Sequence, residues 1–157
     1  MPLYHYTNRQ SGAEIMRDGV VRAASLTLHD DLFCRDTGHR TPPMVWLTTS
    51  DTPDGTVIMK LLNAGWALEP ENIWRIVLPD AYPCQRLETY SQSAGIKWKR
   101  WKWVVSTAQL VSPDWRDWRI VPHDVPATDW LRVERMAGID IWTPAPNPGR
   151  RKHEVTD

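Results

Sequence analysis

The chain has 157 residues, ten of them tryptophan, and its nineteen basic side chains balance nineteen acidic ones. That length fits one domain, whose single core buries about two thirds of the unfolded surface. Zero net charge excludes a bulk attraction to nucleic acid or membrane, so any such partner has to meet a local patch. The two cysteines, Cys34 and Cys84, are too few for a disulfide framework. The start MPLYHYTNRQ lacks the basic and apolar regions of a secretion signal. No apolar run approaches the roughly 20 residues of a membrane helix. These features lead to the expectation of a cytoplasmic protein without a membrane partner.

Residues 3–7, LYHYT, read as a strand. Its period of two places Leu3, His5 and Thr7 on one face and Tyr4 and Tyr6 on the other. SGAEIMRDG follows as a short helix: Ser11 and Glu14 have capping-box spacing, Ile15 and Met16 turn inward, and Gly19 is a C-terminal stop. Residues 22–43 have no clear period and read as a long loop of the kind that covers a site.

MVWLTTS is a β-rich run ending in hydroxyls, and DTPDG is a turn. TVIMKLLNAGWAL has helical apolar spacing broken near Gly65. NIWRIVLP is apolar on both faces and reads as a central strand ended by Pro79. CQRLETYSQ reads as a further strand. RWKWVVST also reads as a strand, with Trp101, Trp103 and Val105 on one face and Arg100 and Lys102 on the other. WRIVP closes the series of strands. ATDWLRVERMAG reads as a short helix capped by Thr128 or Asp129.

Residues 1–142 therefore form a single globular domain, and the Pro-rich, charged residues 143–157 form a disordered tail. Strands clustered after an early helix argue for α+β with mostly antiparallel strands and short helices.

His29, Cys34 and His39 lack a second close pair, so no metal site is expected. No serine elbow, phosphate loop or GxGxxG appears. KWKRWKW interleaves four cations with three tryptophans. That mixture suits single-stranded nucleic acid, whose phosphates follow cations and whose bases stack on aromatic faces. The same alternation fits a buried tryptophan face backed by a solvated basic one. Eight of the ten tryptophans lie between Trp66 and Trp130, and most of them are expected in the core.

YHYT opening the first strand, a short helix ending in glycine, and a VWLTTS strand together resemble the ADP-ribosyltransferase superfamily. The similarity is to the branch holding DarT-like toxins, poly-ADP-ribose polymerases and RNA 2′-phosphotransferases. It is clearest over residues 3–24 and 44–50 and topological beyond them. The resemblance implies a split β-sandwich, NAD as cofactor, and a toxin-like transfer to a macromolecular acceptor, nucleic acid or protein.

By that resemblance, His5 bonds a ribose hydroxyl of NAD, the backbone of Tyr6 clamps the nicotinamide amide, and Thr7 assists. Among Trp46, Thr48, Thr49 and Ser50, Thr48 is the first choice to line the pocket, since it shares a face with Trp46. Arg22, Arg35 or Arg40 holds the pyrophosphate through charge-assisted bonds. The family's late strand carries a glutamate that stabilises developing positive charge. RWKWVVST supplies no acid there, so the nearest upstream acid, Glu88, takes the catalytic part beside His5. The alternative is a noncatalytic module that binds nucleic acid or protein through the basic tryptophan-rich segment.

Overall fold

The computed structural model describes residues 1–24, 42–53, 72–111, 115–138 and 141–149. The fold is α+β. Strand β1 (Leu3–Asn8) leads into helix α1 (Arg9–Asp18), followed by β2 (Val20–Val21), β3 (Val45–Thr48), β4 (Ile73–Leu78) and β5 (Gln85–Arg86). Helices α2 (Leu87–Ser93) and α3 (Trp98–Val111) come next, then β6 (Trp118–Val121), β7 (Val125–Pro126), β8 (Arg132–Gly138) and β9 (Ile141–Ala145). Among the described residues, seven strands make one antiparallel sheet in the order β5-β6-β3-β1-β4-β8-β9, and β2 pairs with β7 as a separate ribbon.

Strand alternation divides the core into layers. Leu3, Val45, Leu47, Ile76, Leu78, Val121 and Val133 fill one face of the sheet, covered by Ile15 and Met16 of α1, by Val21 and Val125 of the ribbon, and by Trp130. On the opposite face, Trp118 and Ile120 of β6 and Trp46 of β3 meet Leu87, Tyr90 and Trp101 of the helices. Farther along that face, Tyr4, Tyr6, Ile73, Val77 and Met136 form a third cluster, with Trp142 against it. β4 is the central strand its sequence indicates, in register with β1 over six residues and with β8 over four.

Helix α1 starts earlier than a Ser11–Glu14 capping box requires. Asn8 is the N-cap, its Oδ1 accepting from the Ser11 amide at 2.8 Å, which leaves Glu14 in mid-helix. Gly19 ends the helix with φ of 65°, its amide donating to the Ile15 carbonyl at 2.8 Å.

Several expected elements are corrected. The segment read as the strand RWKWVVST is helix α3, because Trp101, Val104, Val105 and Ala108, all buried, repeat at helical spacing. CQRLETYSQ keeps only the two residues of β5 before turning into α2. In place of a helix, residues 127–138 make a 3-10 turn, Ala127–Asp129, and then β8; Trp130 is extended, and the strand is paired on both edges by β4 and β9. Thr143, Pro144 and Ala145, expected in a tail, pair with β8 as part of β9. The helical reading of residues 56–68 and the loop over residues 25–41 lie outside the described residues. Among the described residues no helix is long and apolar enough to cross a membrane.

Candidate functional site

β1 and β3 are in register at a single pair, Tyr4 with Thr48, whereas β1 follows β4 along its whole length. Past that pair the side chain of His5 spans the gap. Its Nδ1–H donates to the Trp46 carbonyl at 2.9 Å. A carbonyl can only accept, so the proton sits on Nδ1 and Nε2 is left as the acceptor of the ring. Burial lowers the His5 pKa below the ordinary histidine value, outweighing the Trp46 carbonyl, which acts to raise it. The ring is therefore neutral near pH 7.

His5 and Thr7 both open onto a cleft of about 500 Å³ between β1, α1 and β2. Ser11, Glu14, Ile15 and Asp18 supply the helical wall, their spacing being that of one α-helical stripe. Asn8 sits at one end, and Val20, Val21, Arg22 and Ala24 form the other side. Tyr6 borders the cleft through its main chain, because its side chain points to the opposite face and its hydroxyl donates to the Ser50 carbonyl at 3.1 Å. α1 approaches β1 closely because position 12 has no side chain: a Cβ there would lie 3.4 Å from the Trp74 ring and 3.5 Å from Thr7 Cγ2.

The cleft holds charges of both signs. Asp18 bonds Arg17 at 3.0 Å and lies 3.7 Å from Arg22, whose other guanidinium nitrogen is 3.9 Å from Asp124. The Arg17 hydrogen bond is the largest influence holding the Asp18 carboxyl below its usual range. Glu14 is exposed and has no hydrogen-bond or ion-pair partner among the described residues.

Of the expected site residues, His5, Tyr6, Thr7 and Arg22 meet in this cleft. Trp46 contributes only its carbonyl, since its ring lies on the opposite face, edge-on to Trp118 at 5.5 Å. Thr48 pairs with Tyr4 on that same far face, and its hydroxyl accepts from the Ser50 amide at 3.1 Å. Glu88 lies in the first turn of α2, in the helical layer across the sheet, so the structure separates it from His5. Its Oε2, like Trp46 Nε1, is buried without a hydrogen-bond partner among the described residues. Arg35, Arg40, His29, Cys34 and His39 lie outside the described residues.

Asn8, Ser11, Glu14 and Asp18 were not anticipated as lining residues. Their signal is the helical stripe 11, 14, 15, 18 immediately after a strand bearing His5 and Thr7, which a capping-box reading of Ser11 and Glu14 conceals.

The chain matches no family model, no curated protein and no solved structure.

Proposed function

We propose that the cleft between β1 and α1 binds NAD and that the chain is an ADP-ribosyltransferase-like protein, toxin-like in acting on a macromolecular acceptor. The observation that carries this reading is the His5 imidazole, fixed to the Trp46 carbonyl through Nδ1 at 2.9 Å and lining the same cleft as Thr7. A ribose presents hydroxyl donors, and an acceptor nitrogen held in place beside a threonine hydroxyl suits them. A cleft of about 500 Å³ lies within the size range of small-molecule and cofactor sites.

His5 Nε2 would accept from the nicotinamide-side ribose, the main chain at Tyr6 would border the amide, and Arg22 would meet the pyrophosphate at the rim. When bound, NAD supplies an ADP-ribosyl group and nicotinamide as its leaving group. The acid proposed for this site is Glu14, which faces the cleft on the wall opposite β1. Its carboxylate would oppose the positive charge that develops on the ribose, a contribution that grows as water is excluded.

Calorimetric titration of NAD, with nicotinamide release assayed in the same samples, tests the reading. Wild type is expected to bind and release nicotinamide, His5→Ala to lose affinity at least tenfold, and Glu14→Gln to bind while release falls by about 10²-fold or more. Equal NAD binding by wild type and His5→Ala overturns the cleft assignment, as does absence of binding. Full release by Glu14→Gln removes Glu14 from the chemistry.

A further inference from the structure

We propose that the exposed N-terminal half of α3 is a binding surface for single-stranded nucleic acid. The surface lies on the helical layer across the sheet from the His5 cleft, so the inference is independent of whether that cleft takes NAD. Lys97, Lys99, Arg100 and Lys102 place four cations within six residues of a chain whose charges cancel overall. Lys97, Lys99 and Lys102 are exposed, Arg100 is half-buried, and none forms an ion pair among the described residues.

This arrangement works against the helix that carries it. The first turn of α3 contains no acid. Cations at a helix N-terminus oppose the macrodipole, and like charges at neighbouring positions repel. An anion delivered from outside removes both penalties. Charge complementarity thus fixes the sign of the partner.

Trp98 narrows the class. Its side chain is 51 % exposed among these cations, whereas Trp101 of the same helix is fully buried. Trp101 Nε1 donates to the Leu87 carbonyl at 2.6 Å, and Val104, Val105 and Ala108 continue the buried stripe. α3 is therefore held firmly, and Trp98 is presented on a fixed support. An indole face standing among cations suits a polyanion with unpaired bases, which stack on aromatics while their phosphates follow the positive charge. In a duplex the bases are already stacked on one another and offer no face to Trp98.

The test is fluorescence anisotropy of a fluorescein-labelled 20-residue oligo-dT over a salt series, with the intact chain. Four phosphate contacts are expected to give a slope of about −3 in log K against log salt. The Lys97→Ala, Lys99→Ala, Lys102→Ala triple variant is expected to bring the slope to about −1. Trp98→Ala is expected to weaken binding at least about fivefold with the slope retained. All four substitutions are at exposed positions, and matching thermal melts by circular dichroism verify that the variants fold. An unchanged slope in the triple variant overturns the proposal. So does equal or tighter binding of a 20-base-pair duplex, of poly-glutamate, or of vesicles containing phosphatidylserine, each of which identifies a different anionic partner.

Discussion

His5 donates its Nδ1 proton to the carbonyl of Trp46 at 2.9 Å, across the gap that opens where β1 and β3 lose register. One side chain thereby satisfies a backbone acceptor that a continued ladder would have paired, and its ring is held in a single tautomer facing the cleft. The relation between these two residues has a pH signature. Burial holds the folded His5 pKa below the ordinary 6.5. The unfolded chain therefore takes up a proton that the folded chain resists. Stability from this group is present above pH 6.5 and declines as pH falls from there toward the folded pKa. NMR titration of the imidazole is expected to give a midpoint below 6.5. The urea midpoint of wild type is expected to drop more between pH 7 and pH 5 than that of His5→Gln. A His5 midpoint at or above 6.5 refutes the assignment.

A buried ion pair fixes the other end of the sheet. Arg75 is 7 % exposed, and its guanidinium lies 4.9 Å from the centre of the Tyr4 ring and 3.9 Å from that of Trp142. Its Nε donates to Glu134 at 2.6 Å and a terminal nitrogen donates to the Asp51 carbonyl at 2.6 Å. Burial acts to raise the Glu134 pKa, but hydrogen bonds from Arg132 and Arg75 together hold it below its ordinary value. Removing the carboxylate strands a buried cation, which typically costs about 3–5 kcal/mol. Glu134→Ala is expected to lose that much stability in urea unfolding. Arg75→Met in the same chain is expected to recover part of it, since no buried charge then remains unpaired. Additive losses in the double variant would show that the two residues do not interact.

The features legible in the sequence were those in which one period had no rival. LYHYT alternates cleanly and forms β1; NIWRIVLP is largely apolar on both faces and lies inside the sheet between β1 and β8; Gly19 stops α1 through a positive φ. The RWKWVVST segment satisfied two periods at once, because tryptophans at 101 and 103 mimic a strand while 101, 104, 105 and 108 mark a helix. Burial of the second set decided the matter, and that depends on partners in α2 and β6 that are distant in sequence. The prolines after residue 142 suggested a tail, yet Pro144 sits on the edge strand β9, where its missing donor is tolerated. The site was half legible for a similar reason. His5, Thr7 and Arg22 lie on the cleft, whereas Glu88 belongs to α2 in the helical layer across the sheet and Thr48 fell on the far face once the Tyr4–Thr48 register was set. A slip of one residue in β3 would have turned Thr48 to the cleft face.

The depth of the cleft rests on Gly12. It is the buried residue of α1, standing over the Trp74 ring and the Thr7 methyl, and Trp74 is the cross-strand partner of Thr7. Alanine there places a Cβ 3.4 Å from the ring, a contact met by a small shift of the indole, and gains about 1 kcal/mol of helix propensity over glycine. Gly12→Ala is accordingly expected to stay within about 1 kcal/mol of wild type. Leucine has no such room, and overpacking at a tight contact costs about 1–3 kcal/mol. Relief comes only by lifting α1 from β1, which carries Ser11 and Glu14 away from His5. Gly12→Leu is therefore expected to lower the urea midpoint and, under the proposed NAD assignment, to weaken NAD binding together, while the His5 tautomer, set by Trp46 on the other side, persists in the NMR spectrum. Stability lost with NAD affinity intact would show that the helical wall does not take part in the site.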